Sequence, residues 1–564
     1  MPDPNAPARD RPWKRPGAVR YAISRIRGLI HPDVTVYEPE PGAIVSDLDV
    51  PIVSRDGTTL RANVYRPPGD GPFPVVMCAH PYGKDNLPVR TRFGYRYSVQ
   101  YRMLRQPRTV RFSTLTSWEA PDPAWWVAQG YAVVNCDLRE AGTSEGTLAL
   151  LTDQEGEDVY DLVEWAGAQP WSNGSVGMMG VSYLAMSQWK TAALHPPSLK
   201  AIVPWEGLTD CYRDLVRPGG IREKGFLRIW SLGLRRAGLT FGIEDAADKH
   251  PLHDDWWDSL VPDLSRITVP LLICGSFSDN NLHSRGSFRA FERISSVERH
   301  VYTHRAGKWA TFYSDEALAV QLDFFNRHLR GIDAPELPPV RLEVRESRDV
   351  VASVRAESTW PPVGATWTTL RLNESGLTPE PAGQTGSIAF NARSQGVRFG
   401  WTVPDDIEVV GPMALRLFVE STAPDVYLFV GVEKWRDGTF VPFEGSYGFG
   451  RDRVTTGWQK ASMRRLDETQ TREFAPVPTL TDQQLLSPGE VVQVDLPLGP
   501  SATMFRRGER LQLVVSGRWL WPRNPLTGQF PAAYESSPRG KCTLHWGPNR
   551  DARLLIPIAA KYRE

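Results

Sequence analysis

Cysteine is scarce in this chain, with five in 564 residues. Cys78, Cys136, Cys211, Cys274 and Cys542 are odd in number and widely separated. That argues against a disulfide framework and against a zinc cluster built on paired thiolates. Cys78, Cys136 and Cys274 lie inside apolar, strand-like runs, the usual setting of buried free thiols in a reducing compartment. Net charge is lacking too: 65 Lys and Arg balance 65 Asp and Glu. Without a global field to draw the chain onto phosphates, nucleic acid is not an expected partner. No run is long and apolar enough to span a bilayer. Residues 1–16 are rich in Pro and charge and carry no apolar core of a secretory signal, so a cytoplasmic location is expected. Residues 18–30 are basic and amphipathic, and a helix laid on the protein's own surface is the favoured reading over one that binds a membrane surface.

What is present is ample core material: 41% hydrophobic residues, with 20 Trp, 17 Tyr and 21 Phe. A globular chain follows, and its length calls for two or three domains. Two alternating runs around Arg55-Asp56-Gly57, within Ile44 to Tyr65, read as a hairpin. Short continuous apolar runs come next: 73–79, 131–136, 176–180, 199–203 and 269–274, with a more polar one at 300–304. Runs of this type suit strands covered on both faces, as in a parallel sheet. Helical stripes lie between them at 155–168, 182–194 and 315–329. Alternating strands and helices predict a doubly wound α/β domain. Two long excursions, 85–124 and 208–264, interrupt the rhythm and read as lids or pocket walls. After Gly331 the character changes to short alternating runs between Gly- and Pro-rich turns, which predicts an all-β sandwich or jelly roll. The expected division is an extension over 1–40, an α/β domain over 41–207 and 265–334 interrupted by a helical cap over 208–264, and a β-domain over 335–564.

The sharpest chemical signal is Val176-Gly177-Met178-Met179-Gly180-Val181-Ser182-Tyr183-Leu184-Ala185. A strand runs directly into Gly-x-Ser and a helix follows, as a nucleophile elbow requires. The helix N-terminus would then aim backbone N–H groups at a developing oxyanion. The full pentapeptide would carry Gly where Leu184 stands, so a Gly-x-Ser in an ordinary βα turn is the competing reading. A serine nucleophile needs a base, and the base an orienting acid, in the order Ser, acid, His on this fold. The strand-like run Leu271 to Ser276 leads to Asp279, and the next strand ends on His304. That layout selects Asp279 and His304. His283 is set aside as too close in sequence to Asp279 to lie on a separate loop. The loop Pro81-Tyr82-Gly83-Lys84 offers a tyrosine hydroxyl as a second oxyanion donor.

These segments resemble the cocaine-esterase and X-Pro dipeptidyl-peptidase (CocE/NonD) family. The likeness is carried by 176–189, by Leu199 to Pro204, by Asp210-Cys211-Tyr212-Arg213-Asp214, by Pro-Tyr-x-Lys at 81–84, and by Asp137-Leu138-Arg139-Glu140-Ala141-Gly142-Thr143-Ser144-Glu145-Gly146. It covers most of the chain from about Val50 onward. It implies an α/β-hydrolase with a triad of Ser182, Asp279 and His304, and an oxyanion hole from the Tyr82 hydroxyl and the Tyr183 backbone N–H. It also implies a helical cap and a C-terminal jelly roll. The sequence departs from the family at Ala185 and Glu140, each in place of a usual Gly. It departs again before His304, where the family's His follows Gly-Pro-Trp-x and this chain has Val301-Tyr302-Thr303. Trp189, Trp205, Trp256, Trp257 and Trp309 are candidate pocket residues for a small, partly aromatic acyl or alcohol group.

The expected activity is cleavage of a carboxylic ester or amide through a covalent acyl-enzyme. The alternatives are an X-Pro dipeptidyl-peptidase, whose substrate amine would need an acid such as Glu223, Glu244 or Asp245, an acyltransferase using the same triad, and a dead scaffold that only binds. No motif calls for a metal or organic cofactor. The expected partners are a small ester, amide or short peptide, with a homodimer left open.

Overall fold

The computed structural model describes residues 18–103, 106–147, 150–240, 242–381, 383–445, 451–521 and 531–560. The hairpin signal at Arg55-Asp56-Gly57 becomes strands β1 (Val45–Val53) and β2 (Thr59–Arg66), paired antiparallel. The continuous apolar runs become β3 (Phe73–His80), β4 (Ala132–Asp137), β5 (Ser172–Val181), β6 (Leu199–Trp205), β7 (Leu271–Ser276) and β8 (Arg299–His304). In β4 and β7 every residue is buried, as expected for strands covered on both faces. Across the sheet the order is β1-β2-β4-β3-β5-β6-β7-β8. The β2–β4 pairing is antiparallel, and from β4 to β8 all neighbours run parallel.

Helices cover both faces. Asp153–Gly167 (α1) turns Val159, Leu162, Val163 and Ala166 inward, the stripe legible in the sequence. Tyr183–Ala193 (α2) follows β5 at once. Between β6 and β7 lie the short helices Phe226–Arg236 (α3), Ile243–Lys249 (α4) and Asp255–Leu260 (α5). Ser284–Arg293 (α6), Lys308–Phe312 (α7) and Asp315–Arg330 (α8) complete the layer, and α8 ends on left-handed Gly331.

The chain then enters an all-β region. Strand Val340–Ser347 continues the parallel sheet beside β8 and pairs antiparallel with Val350–Glu357. A long antiparallel pair, Ile407–Ser421 with Val491–Phe505, carries one sheet, and Tyr427–Arg436 with Arg510–Ser516 carries the other. Leu415, Leu417, Val494 and Leu496 of the first pack in one core with Val430, Val432, Leu513 and Val515 of the second. Alternation along each strand makes this possible, since one face is apolar and the other polar. The β-region abuts the α/β region closely: a Cβ on Gly499 would lie 2.3 Å from Asn280 Oδ1.

Candidate active site

The site forms where the parallel strands end. Pro204 pairs with Gly180, Trp205 with Val181 and Cys274, and Ser276 with His304. Residues just past these positions therefore gather along one edge of the sheet, the usual location of ligands on open α/β sheets. Ser182 sits in the turn between β5 and α2 at φ 61°, ψ −114°. For a residue with a Cβ this left-handed conformation is strained, and it is held from both sides. The Ser182 N–H donates to Trp205 O at 3.0 Å, and Ser182 O accepts from Ala185 and Met186 as the helix begins. Gly180 explains the missing second glycine. A Cβ there would meet Leu184 Cβ at 2.3 Å, so the glycine before the serine makes room for the leucine after it.

The imidazole facing Ser182 is that of His283. Ser182 Oγ lies 3.1 Å from His283 Nε2, and His283 Nδ1 lies 2.6 Å from Asp279 Oδ2. The two residues share a face because the chain winds tightly after β7. Asp279 O accepts from the amides of Leu282, His283 and Ser284, which brings positions i and i+4 together before α6 starts. Closeness in sequence, taken as a reason to set His283 aside, is what permits the contact. With Nδ1–H donating to Asp279, Nε2 presents its lone pair to the serine hydroxyl.

His304 stands elsewhere, which corrects the expected base. It is buried, and its Nε2 pairs with Glu206 Oε1 at 3.0 Å. Its Nδ1 takes the Ala306 N–H at 3.1 Å and lies 3.4 Å from Thr311 Oγ1. Both ring nitrogens are thus committed away from Ser182. The reason is register: β8 ends opposite Ser276, and the side chain at that height meets Glu206, which leaves β6 at φ 52°.

Lys308, at the start of α7, joins the two acid–imidazole pairs. Its Nζ lies 2.7 Å from Asp279 Oδ2, 3.0 Å from His283 Nδ1 and 4.0 Å from Glu206 Oε2. Burial pushes the Asp279 carboxyl up, but the Lys308 ammonium and His283 outweigh it and hold Asp279 well below the usual carboxylate range. Burial and the Lys308 charge together lower the His283 pKa, against the pull of Asp279. Neither Lys308 nor Glu206 was among the site residues expected from sequence. Nothing in their local patterns marks them.

Tyr82 follows β3, and its ring stands 6.2 Å from that of Tyr183. Burial, then the charge of Glu119, raises its pKa well above 10, so the hydroxyl keeps its proton. Its oxygen accepts from the Trp230 indole N–H of α3 at 3.3 Å, which leaves the O–H free to donate elsewhere. Tyr183 is the first residue of α2, so its backbone N–H has no acceptor within the helix. Its side chain turns away, donating to Glu155 Oε2 at 2.5 Å.

The five candidate pocket tryptophans all pack against neighbouring groups, and Trp189 also lines a cavity with Leu151, Met186 and Leu208. Trp205 is fully buried among Tyr302, Phe312 and His304. Trp189 and Trp257 are buried with their indole N–H groups on Leu208 O and His250 O. Trp309 packs on Trp118 and Tyr101 and donates to Glu119 Oε1, while Trp256 stacks on His250. The half-buried aromatics beside the Tyr82–Tyr183 pair are instead Trp230 and Phe226, both on α3. Sequence reasoning missed them because the segment reads only as a Trp- and Arg-rich cap.

Among the described residues, Glu206, Cys274 and His304 form a group whose ligand atoms lie within 4.8 Å of one another. Burial raises the Cys274 thiol well above its usual range, and Glu206 and His304 bind each other directly. The donor set is therefore a protonated thiol and a closed hydrogen bond, a poor fit to a cation.

Comparison with known proteins agrees with this architecture. Residues 56–248 match the X-Pro dipeptidyl-peptidase (S15 family) model, and residues 333–555 match the X-Pro dipeptidyl-peptidase C-terminal non-catalytic domain. A CocE/NonD family hydrolase from Staphylococcus aureus is 35% identical in a structure that covers 92% of this chain and 94% of its own, with a TM-score of 0.87. The cocaine esterase of a Rhodococcus species is 26% identical over 92% of this chain and 98% of its own. A putative Xaa-Pro dipeptidyl-peptidase of Bacillus anthracis is 24% identical over only 37% of this chain and 40% of its own.

Proposed function

The chain belongs to the CocE/NonD family of serine hydrolases, and on that premise we propose that it is an esterase acting through Ser182, His283 and Asp279. The observation that supports this is the unbroken hydrogen-bond path from Ser182 Oγ to His283 Nε2 at 3.1 Å and from His283 Nδ1 to Asp279 Oδ2 at 2.6 Å.

In this reading His283 takes the Ser182 proton as the oxygen attacks the ester carbonyl. Asp279 holds the imidazole in the productive tautomer and stabilises the imidazolium that forms. The Tyr82 hydroxyl and the Tyr183 N–H receive the oxyanion of the tetrahedral intermediate. The imidazolium then protonates the leaving alkoxide, which departs as an alcohol. Water, deprotonated by the same imidazole, releases the acid and restores Ser182.

An ester is favoured over an X-Pro peptide by the fate of the acids. Of the three acids considered for holding a substrate amine, Glu223 is buried and accepts the N–H groups of Gly225, Phe226, Leu227 and Ala533, while Glu244 and Asp245 sit in the first turn of α4. Glu206 is tied to His304. Burial raises Glu119 to about 8, which favours its neutral form. The test is turnover of short-chain and aromatic p-nitrophenyl esters beside dipeptidyl-proline anilides, with Ser182→Ala as control. Ester cleavage lost in the control is expected. Preference for the anilides would move the assignment to a peptidase.

A further inference from the structure

The helix Ala18–Ile30 is folded inside out. Its polar positions Ser24 and Arg25 are buried against the protein, with Gly28. Its large apolar side chains face solvent: Val19 is 74% exposed, Ile23 46%, Ile26 42%, Leu29 42% and Ile30 60%. The positions 19, 23, 26 and 30 step by four, three and four, so they form one stripe along the helix. A soluble surface helix normally shows the reverse arrangement. Arg20 and Arg27 flank the stripe and are exposed.

This stripe has neighbours of the same character. The helix contacts the short helix Gln100–Met103. The strand that follows it, Val34–Tyr37, pairs in parallel with Val110–Ser113. Just before both partners in the chain comes the hairpin of Val89–Thr91 and Gly94–Arg96, tied to the end of the Val34–Tyr37 strand through Glu38. Its tip carries Phe93, 85% exposed, beside exposed Val89 and Val99. Residues 86–111 hold seven arginines and no acid, and residues 18–30 hold three arginines and no acid, in a chain whose total charge is zero. The two acids that share this module are occupied, Asp33 by Thr109 Oγ1 and Glu38 by Arg90 and Tyr95. Exposed apolar side chains set among arginines that far outnumber the carboxylates, with Glu38 engaging Arg90, match an acyl–headgroup boundary that carries negative charge. A nucleic-acid partner would explain the arginines but not the aliphatic stripe.

We propose that the module formed by residues 18–38 and 86–113 docks the protein on an anionic lipid surface, with the apolar stripe and Phe93 entering the interface and the arginines facing the headgroups. No helix among the described residues is long and apolar enough to cross a membrane, so the attachment is peripheral.

The full chain tests this by co-sedimentation with phosphatidylcholine vesicles, with and without about a third phosphatidylglycerol. Binding at least about tenfold tighter to the anionic vesicles is expected, weakening as salt approaches about 0.5 M because exposed charges are then screened. An Ile23→Glu, Ile26→Glu double variant should lose vesicle binding, and an Arg92→Glu, Arg96→Glu variant should lose the anionic preference. All four side chains are exposed, so melting temperature and ester turnover in solution should stay unchanged and report that the fold survives. Equal binding to both vesicle types, or full binding by the Ile variant, would overturn the proposal. So would a dimer in solution that the Ile variant dissociates without any vesicle binding in the parent, or binding to duplex DNA in place of vesicles.

Discussion

Replacing Trp230 with Phe should slow turnover without touching the nucleophile, its base or its acid. The indole N–H donates to the Tyr82 oxygen at 3.3 Å. That contact occupies a lone pair and biases the Tyr82 proton away from Trp230, toward the space an oxyanion would fill. Losing Tyr82's hydroxyl altogether, in Tyr82→Phe, should cost about 3–4 kcal/mol of barrier, or roughly 10²–10³ in kcat, as for other oxyanion donors. Losing only the hydrogen bond that orients it should cost about 1 kcal/mol, close to fivefold. The informative assay is a double-mutant cycle on a p-nitrophenyl ester. If Trp230 acts through the Tyr82 hydroxyl, adding Trp230→Phe to Tyr82→Phe should cost less than about 0.5 kcal/mol further. Additive losses in kcat, or a loss confined to KM, would refute the reasoning and make Trp230 a wall of the substrate pocket.

Two further outcomes follow from the same geometry. The His283 pKa is lowered by burial and by Lys308, so kcat/KM should hold its value as pH falls to below 6.5 and drop only where the imidazole protonates. Lys308→Met removes a cation 3.0 Å from Nδ1, which favours the imidazolium, so the acid limb of the pH–rate profile should move to higher pH. An unmoved or lower limb would show that the ammonium does not tune the ring. Gly180→Ala would place a Cβ 2.3 Å from Leu184 Cβ and should destabilise the fold by about 1–3 kcal/mol while misplacing Ser182. Adding Leu184→Gly should recover part of the turnover, the rest being withheld by the φ of 156° at position 180, whereas no recovery at all would locate the strain elsewhere.

Much of the fold is legible because it rests on local signals. Runs such as 73–79 and 271–274 are apolar throughout, and the sheet buries them on both faces. Val159, Leu162, Val163 and Ala166 mark their helix by spacing alone. The elbow is legible for the same reason, since Gly180, Ser182 and the helix after it are neighbours in sequence. The base is not, because it depends on where two candidate imidazoles point in three dimensions. Asp279 and His283 are joined by a turn whose winding is set by backbone hydrogen bonds to Asp279 O, not by any side-chain pattern. His304 has the expected topological position and is claimed there by Glu206. Lys308, the cation that touches both His283 and Asp279, is brought to them only by the fold. The pocket tryptophans misled for a simpler reason: a large aromatic ring between strands and helices serves a core at least as well as a pocket.

The central claim, that His283 and not His304 activates Ser182, is tested most directly by comparing His283→Ala with His304→Ala in ester turnover and fluorophosphonate labelling of Ser182, each beside a thermal melt. The account predicts that His283→Ala keeps its melting temperature within a few degrees and loses about 10⁴ in kcat, near 5.4 kcal/mol of barrier. It predicts that His304→Ala, which strands the buried Glu206 carboxylate, loses about 3–5 kcal/mol of stability but labels and turns over at near-parental rates wherever it is folded. A folded, inactive His304→Ala beside an active His283→Ala would contradict it.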